Sequence, residues 1–310
     1  MSKRERKSFA RRATVIVLAV VMVFAFSVTA FAAGTVEYTD VPAGHWAEAT
    51  IKEAAANGLD MKTGTEFQPD VAITRAEFCH MVAWAFGLET CADRITFKDV
   101  SKSSPYYDAI RMCVYSDIIH GRSAEVFDPD SPITRQEACI LFYNMLPLYG
   151  VSATGKVEEF ADYSEITAWA LKEVGVITNA GFVQGYPDGT IKPLREITKA
   201  EALTLITRIV NACTIVHGDF TTKNGDNFKD TIFTGKIYVP AGTTATFDNC
   251  SLLGKLVSGT TKEKTQWELP HETKVANVEY TNPVTPTPNP PPTPTEPDDE
   301  DWDGGWGWPN

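Results

Sequence analysis

The chain has 310 residues, with 40 acidic against 28 basic side chains and a formal charge of −12. So acidic a surface excludes general nucleic-acid binding, which needs clustered cations against phosphates. No Gly-x-Ser-x-Gly, His-Glu-x-x-His, P-loop or Rossmann glycine fingerprint occurs, so the recognisable catalytic motifs are absent too.

The first 33 residues read as a secretory signal peptide. Lys3, Arg4, Arg6, Lys7, Arg11 and Arg12 stand against Glu5, an apolar run follows from Val15 to Phe26, and Ala30-Phe-Ala32 is a small-residue cleavage site. The uncharged stretch from Ala13 to Val36 is also long enough to span a bilayer. An uncleaved anchor is therefore the alternative, and the only membrane contact expected. Removing the six basic and one acidic residues takes the −12 to about −17, so any polyanion recognition must be local.

One phrase then occurs three times: Ile73-Thr-Arg-Ala-Glu77, Ile133-Thr-Arg-Gln-Glu137 and Ile197-Thr-Lys-Ala-Glu201, at intervals of 60 and 64 residues. Each opens a run with helical apolar spacing. Phe78, Met81, Val82, Ala85 and Phe86 share one face. Ala138, Leu141, Phe142, Met145 and Leu146 repeat it, as do Ala202, Leu205, Ile206, Ile209 and Val210. Thr-x-x-Glu before such a run is a capping box, so these residues need no function beyond starting a helix. The basic residue between them is different. Arg75, Arg135 and Lys199 sit in the first turn, where the helix dipole disfavours positive charge. Three repetitions of an unfavourable choice point to an anion held by the cation and free helix amides; a solvated charge is the plainer alternative.

The unit extends upstream. Asp40-Val-Pro-x-x-His-Trp46, Asp99-Val-Ser and Asp162-Tyr-Ser-x4-Trp169 each precede another helical run. Aligning Ile51, Ile110 and Val174 puts Ala47, Tyr106 and Ala170 in one column; the runs end near Gly58, Asp117 and Gly181. A turn-rich loop follows, clearest as Gly185-Tyr-Pro-Asp-Gly-Thr190. One unit is helix, loop, helix, giving repeats at 34–92, 93–152 and 153–212.

In that order and three times over, these motifs resemble S-layer homology (SLH) domains from Tyr38 to about Asn211. The resemblance implies a mainly α fold, a compact pseudo-threefold assembly of three repeats. It also implies non-covalent anchoring of an exported bacterial protein to the wall, without catalysis, cofactor or metal. The implied ligand is an anionic secondary cell-wall polysaccharide, typically carrying pyruvate ketals; other S-layer or surface proteins are further partners. The expected ligand-binding residues are Arg75, Arg135 and Lys199, with the aromatics Trp46, Trp169 and Tyr106. Asp40, Asp99, Asp162, Gly185 and Gly189 complete the set.

The departures are specific. Lys199 stands where the family usually has arginine, losing the two-pronged contact that suits carboxylate. Pro105-Tyr106 replaces the His-Trp pair, so the second repeat's sugar-stacking aromatic is expected to be the tyrosine. The first two repeats lack the full Gly-Tyr-Pro-Asp-Gly loop. Trp46 and Trp169 have an equally ordinary reading as buried core at the start of a helix face.

Six cysteines in an exported chain do not form a framework here. Cys79 and Cys139 share a repeat position and Cys113 takes a small apolar one, while Cys213 and Cys250 flank the following segment and could pair, which spacing alone does not decide. With no Cys-x-x-Cys and scattered histidines, zinc is not expected.

From residue 213 to 280 the texture is β-rich. Thr214–Val216, Thr231–Phe233, Lys236–Val239, Thr243–Phe247 and Lys255–Val257 are short pieces between Gly, Asn and Pro turns. Residues 281–310 are a Pro/Thr-rich, disordered spacer ending in an acidic Trp/Gly tail, either a docking tag or a linker remnant. The contrasting function is a wall-associated carbohydrate-active enzyme or adhesin whose activity lies in the 213–280 module.

Overall fold

The computed structural model describes residues 37–89, 92–260, 267–269 and 273–280. The leader, Cys91 and the 281–310 tail lie outside the described residues. The contacts divide the chain into two compact units, one of residues up to Val71 with Thr198–Thr204, the other of Ala72–Ile197 with Leu205 onward.

Six helices follow the repeat pattern: α1 Glu48–Ala56, α2 Arg75–Phe86, α3 Tyr107–Tyr115, α4 Arg135–Met145, α5 Leu171–Asn179 and α6 Lys199–Ala212. The odd-numbered helices begin without a side-chain cap. Just beyond them Gly58, Asp117 and Gly181 have φ of +90°, +58° and +85°. This left-handed residue closes the last turn, and only Asp117 does it without glycine. The even-numbered helices start on capping boxes. Thr74, Thr134 and Thr198 accept from the amides of Glu77, Glu137 and Glu201, whose carboxylates accept in return from the threonine amides at 3.0, 2.9 and 3.0 Å.

The shared apolar columns form the core. Phe78, Met81, Val82 and Phe86 are buried, as are Ala138, Phe142 and Met145 and then Ala202, Ile206 and Ile209. Ala85 and Val210 are only half-buried; Cys79, Cys139 and Leu203, one repeat position, are fully buried. Between α2 and α4, Phe78 meets Phe142 with centroids 5.7 Å apart. At the entry to the capped helices three backbone bonds close a ring. Ile73 N–H donates to Ile197 O at 2.9 Å, Ile197 N–H to Ile133 O at 3.0 Å, and Ile133 N–H to Ile73 O at 3.1 Å.

After α6 the described residues form nine short strands, and every pairing among them is parallel. β1 Thr214–Val216, β4 Thr231–Phe233 and β7 Ser251–Ser258 stack in order. So do β2 Phe220–Thr221, β5 Ile237–Val239 and β7, and likewise β3 Asp226–Lys229, β6 Ala245–Asp248 and β8 Trp267–Glu268. β9 Lys274–Tyr280 adds to β7. Successive strands thus wind as coils of a β-solenoid, whose interior holds Phe233, Ile237, Val239, Phe247, Leu252 and Leu256. Phe228 stacks on Phe247 at 5.4 Å. Gly218, Gly235 and Gly254 stack at one corner; a Cβ on Gly254 would lie 2.0 Å from the Gly235 carbonyl oxygen. No side chain fits there.

The five β pieces read from the sequence are all strands or overlap one; β2, β3, β8, β9 and the coil are additional. Cys213 and Cys250, the pair whose bridging the spacing left open, are both free thiols. Cys250 instead faces the solenoid core, and burial pushes both thiols up to about 11.

Candidate functional site

The three basic residues do not face their own loops. Each reaches the loop of the next repeat. Arg75 of α2 donates through Nε to Phe127 O at 3.0 Å and through Nη2 to His120 O at 2.7 Å, and its guanidinium lies 4.7 Å from the Phe127 ring centre. Arg135 of α4 donates through Nη2 to Gln184 O at 2.7 Å and lies over Tyr186 at 4.9 Å. Lys199 of α6 donates to Gln68 Oε1 at 2.9 Å. All three are nearly enclosed, at 5, 6 and 2 % exposure. Burial first, then neighbouring Arg122, pulls the Arg75 guanidinium below its ordinary value.

The intact Gly185–Thr190 loop of the third repeat is thus met by Arg135, and Lys199 meets the first-repeat segment that carries Gln68. One expectation is corrected: the first amides of the capped helices are not free. Arg75 and Ala76 donate to Ser131 O and Pro129 O, Arg135 and Gln136 to Arg195 O and Pro193 O, and Lys199 and Ala200 to Val71 O and Pro69 O. The next repeat's loop therefore occupies the helix ends that an anion was expected to use.

The aspartates hold those loops. Asp40 accepts from the Phe67 and Gln68 amides at 2.7 and 2.6 Å, Asp99 from Phe127 and Asp128 at 2.9 and 2.7 Å, and Asp162 from Ile191 and Lys192 at 2.8 and 2.7 Å. In each case the second amide belongs to a non-glycine residue in left-handed conformation: Gln68, Asp128 and Lys192 have φ of 59°, 65° and 52°. A conformation costing about 1–3 kcal/mol persists because two charge-assisted bonds hold it. Desolvation pushes the Asp99 carboxyl up, but the Phe127 and Asp128 amides outweigh it and hold it below its ordinary value.

The glycines shape the third loop. A Cβ on Gly185 would lie 2.1 Å from the Phe160 ring, and on the equivalent Gly121 2.3 Å from Phe97. Gly189, at φ +77°, makes the turn that lets Tyr186 N–H reach Thr190 O at 2.7 Å.

Trp46 and Trp169 are not core residues; each is 61 % exposed. They occupy the same place, just before the buried Ala47 and Ala170 that precede α1 and α5. Tyr106 fills the alanine column instead, half-buried with its ring 5.7 Å from His80 of α2; the exposed residue at the tryptophan position is Pro105. The aromatics border these junctions through their neighbours. His45, beside Trp46, is 3.4 Å from Asp70 in the loop that Lys199 meets. Thr167, two residues before Trp169, donates to the side chain of Gln136, which follows Arg135.

Three inter-repeat junctions of one design result, each setting the enclosed basic residue of one repeat against the loop of the next. They are not equal. The Arg135 junction gathers three cations around Tyr186, of which Lys192 is paired with Asp188 at 2.9 Å. Lys192 and Arg195 also lie over the Tyr186 ring, at 4.5 and 5.3 Å, and Arg135 Nε is enclosed without a hydrogen-bond partner. At the Arg75 junction, Arg122 is paired with Glu137. These last neighbours, Tyr186, Lys192, Arg195 and Arg122, were not among the expected site residues. For Tyr186, Lys192 and Arg195 the signal was the pairing of cations with a loop tyrosine, visible only once the loop's partner is known.

Comparison with known proteins accords with this arrangement. The S-layer homology domain model matches residues 37–79, 96–139 and 159–203. A surface-layer 125 kDa protein of Lysinibacillus sphaericus is 29 % identical over 208 residues, 66 % of this chain and 17 % of its own length. The cellulosome-anchoring protein of Acetivibrio thermocellus is 33 % identical over 154 residues, 47 % of this chain and 33 % of its own. An amylopullulanase of Thermoanaerobacterium thermosulfurigenes is 29 % identical over 166 residues, 52 % of this chain and 9 % of its own. This chain thus spans a third or less of these relatives. The repeat region belongs to the S-layer homology domain family, and with it the chain belongs among exported, cell-wall-anchored surface proteins.

Proposed function

We propose that this chain anchors an exported protein non-covalently to the cell wall by binding an anionic, pyruvylated secondary cell-wall polysaccharide in its inter-repeat clefts. The three repeats form a pseudo-threefold assembly, a reading supported by the closed ring of Ile73, Ile133 and Ile197 backbone bonds. Arg75, Arg135 and Lys199 supply fixed positive charge beneath the clefts, where low dielectric strengthens their attraction for a ketal carboxylate. Exposed Trp46 and Trp169 stack on sugar rings, with Tyr106 bordering the second cleft. Asp40, Asp99, Asp162, Gly185 and Gly189 act on the ligand through the loops they hold.

The observation that carries this reading is the recurrence of an exposed tryptophan, Trp46 and Trp169, whose neighbours His45 and Thr167 bond to segments that hold or follow a buried cation. Nothing in packing requires a large aromatic to stand 61 % exposed twice over. The function is binding rather than catalysis, and partners are the polysaccharide and, through it, the surface layer. Co-sedimentation of the chain with purified walls tests it. Binding is expected to walls that retain their anionic polymer and to vanish once the polymer is stripped. Equal binding to bare peptidoglycan overturns the polysaccharide assignment.

A further inference from the structure

α2, α3 and α4 have no basic residue of their own in the last turn. Each leaves carbonyls without an intrahelical partner, at the negative end of the helix dipole. The β-solenoid supplies the missing donors. His217, just past β1, lies with Nδ1 3.2 Å from the Phe86 carbonyl at the end of α2. Asn277 of β9, nearly fully buried, donates through Nδ2 to Tyr115 O at the end of α3, at 2.9 Å. Lys274 of β9 donates to Tyr143 O and, at 2.9 Å, to Leu146 O at the end of α4, with its ammonium 4.2 Å from the Tyr143 ring centre. Asn249 reinforces the joint by accepting from Tyr149 N–H at 2.9 Å. All of these residues lie in one compact unit.

We infer that the β-solenoid is a docked cap on the helix C-termini of the first two repeats, so that module and repeats unfold as one cooperative body. A crevice of about 220 Å³ remains beside the joint, lined by Asn144 and Lys274 together with Leu252, Leu253 and Val275. The directed donors to the helix ends are the contacts the test below removes. α2 and α4 carry a basic cleft residue at their first position and solenoid contacts at their last. The 12 residues of α2 separate these ends by about 18 Å. The solenoid thus serves as a spacer at the helix ends opposite Arg75 and Arg135. This inference stands independently of which polymer, if any, the clefts bind.

Calorimetry and hydrogen exchange on the full mature chain test it. The wild-type chain is expected to melt in one transition, with the last-turn amides of α3 and α4 and the strand amides of β7 and β9 opening together. In Lys274→Met/Asn277→Leu, last-turn protection in α3 and α4 should fall tenfold or more, and the melting of repeats and solenoid should separate. Lys274→Arg should retain most of the wild-type protection. Separate transitions in the wild-type chain, or a double variant in which both modules keep wild-type protection, overturn the cap. Should the double variant fail to fold, the wild-type exchange pattern still decides: a solenoid that opens while α4 stays closed rules it out.

Discussion

Arg135 begins a helix of the second repeat, yet its Nη2 donates at 2.7 Å to the Gln184 carbonyl of the third. The cation at each junction is therefore also a tie between repeats, and its removal has two consequences. Arg75→Ala and Arg135→Ala should each cost about 1–3 kcal/mol of stability, because enclosed carbonyls lose a charged donor. They should also weaken wall binding, Arg135→Ala more strongly, since its junction gathers Lys192 and Arg195 around Tyr186. Denaturant titration and wall co-sedimentation on the same samples separate the two effects. Stability loss with unchanged affinity would show that the cations act only as ties.

The tryptophans provide the converse. At 61 % exposure, Trp46→Ala and Trp169→Ala should change folding stability by no more than about 0.5 kcal/mol. Wall affinity should fall, by about 0.5–1.5 kcal/mol for each lost aromatic contact. A drop in melting temperature without a drop in binding sinks the sugar-platform reading.

Much of this arrangement was legible in the sequence because its chemistry is local. A capping box spans four residues, so Thr74/Glu77 and its copies announce their helices directly. The left-handed residue after each first helix was visible as Gly58, Asp117 and Gly181. The assignment of cations to loops was not legible, because Arg135 and Gln184 are brought together by tertiary packing across 49 residues. Burial of Arg75, Arg135 and Lys199 was hidden for the same reason. The solenoid escaped because its coils differ in length: Gly218, Gly235 and Gly254 are 17 and 19 residues apart. That glycine column, with left-handed Asp230 and Asn249 one coil apart, was the available signal.

The loop clamps give a pH dependence with a definite sign. The Asp99 carboxyl lies below its ordinary value, and Asp188, held by Thr190 and Lys192, lies at about 2. Groups depressed on folding add stability that is fully present above their unfolded values and lost as pH falls through the folded ones. Melting temperature should thus owe nothing to these groups' titration between pH 5 and 7, and their contribution should decline below about pH 4. Asp162→Ala, which strips the acceptor from the buried Ile191 amide, should cost about 1–3 kcal/mol at neutral pH. A wild-type melting curve flat down to pH 2 would contradict the clamp assignment.

Lys199 is the remaining test, because lysine replaces the arginine of the other two repeats. Lys199 Nζ donates to Gln68 Oε1 at 2.9 Å, a point contact, whereas an arginine needs acceptors in the plane of its guanidinium fork. The position is only 2 % exposed, so a larger head group must displace its surroundings. Lys199→Arg alone should therefore destabilise the chain rather than improve its wall binding. Lys199→Met/Gln68→Leu, removing donor and acceptor together, should cost less than the sum of the single changes, with coupling of about 0.5–3 kcal/mol. A double-mutant cycle by denaturant unfolding measures it. Strict additivity would mean that the Lys199–Gln68 contact contributes nothing. Tighter wall binding by Lys199→Arg at unchanged stability would mean that the first-repeat loop can accept the same two-pronged grip as the others.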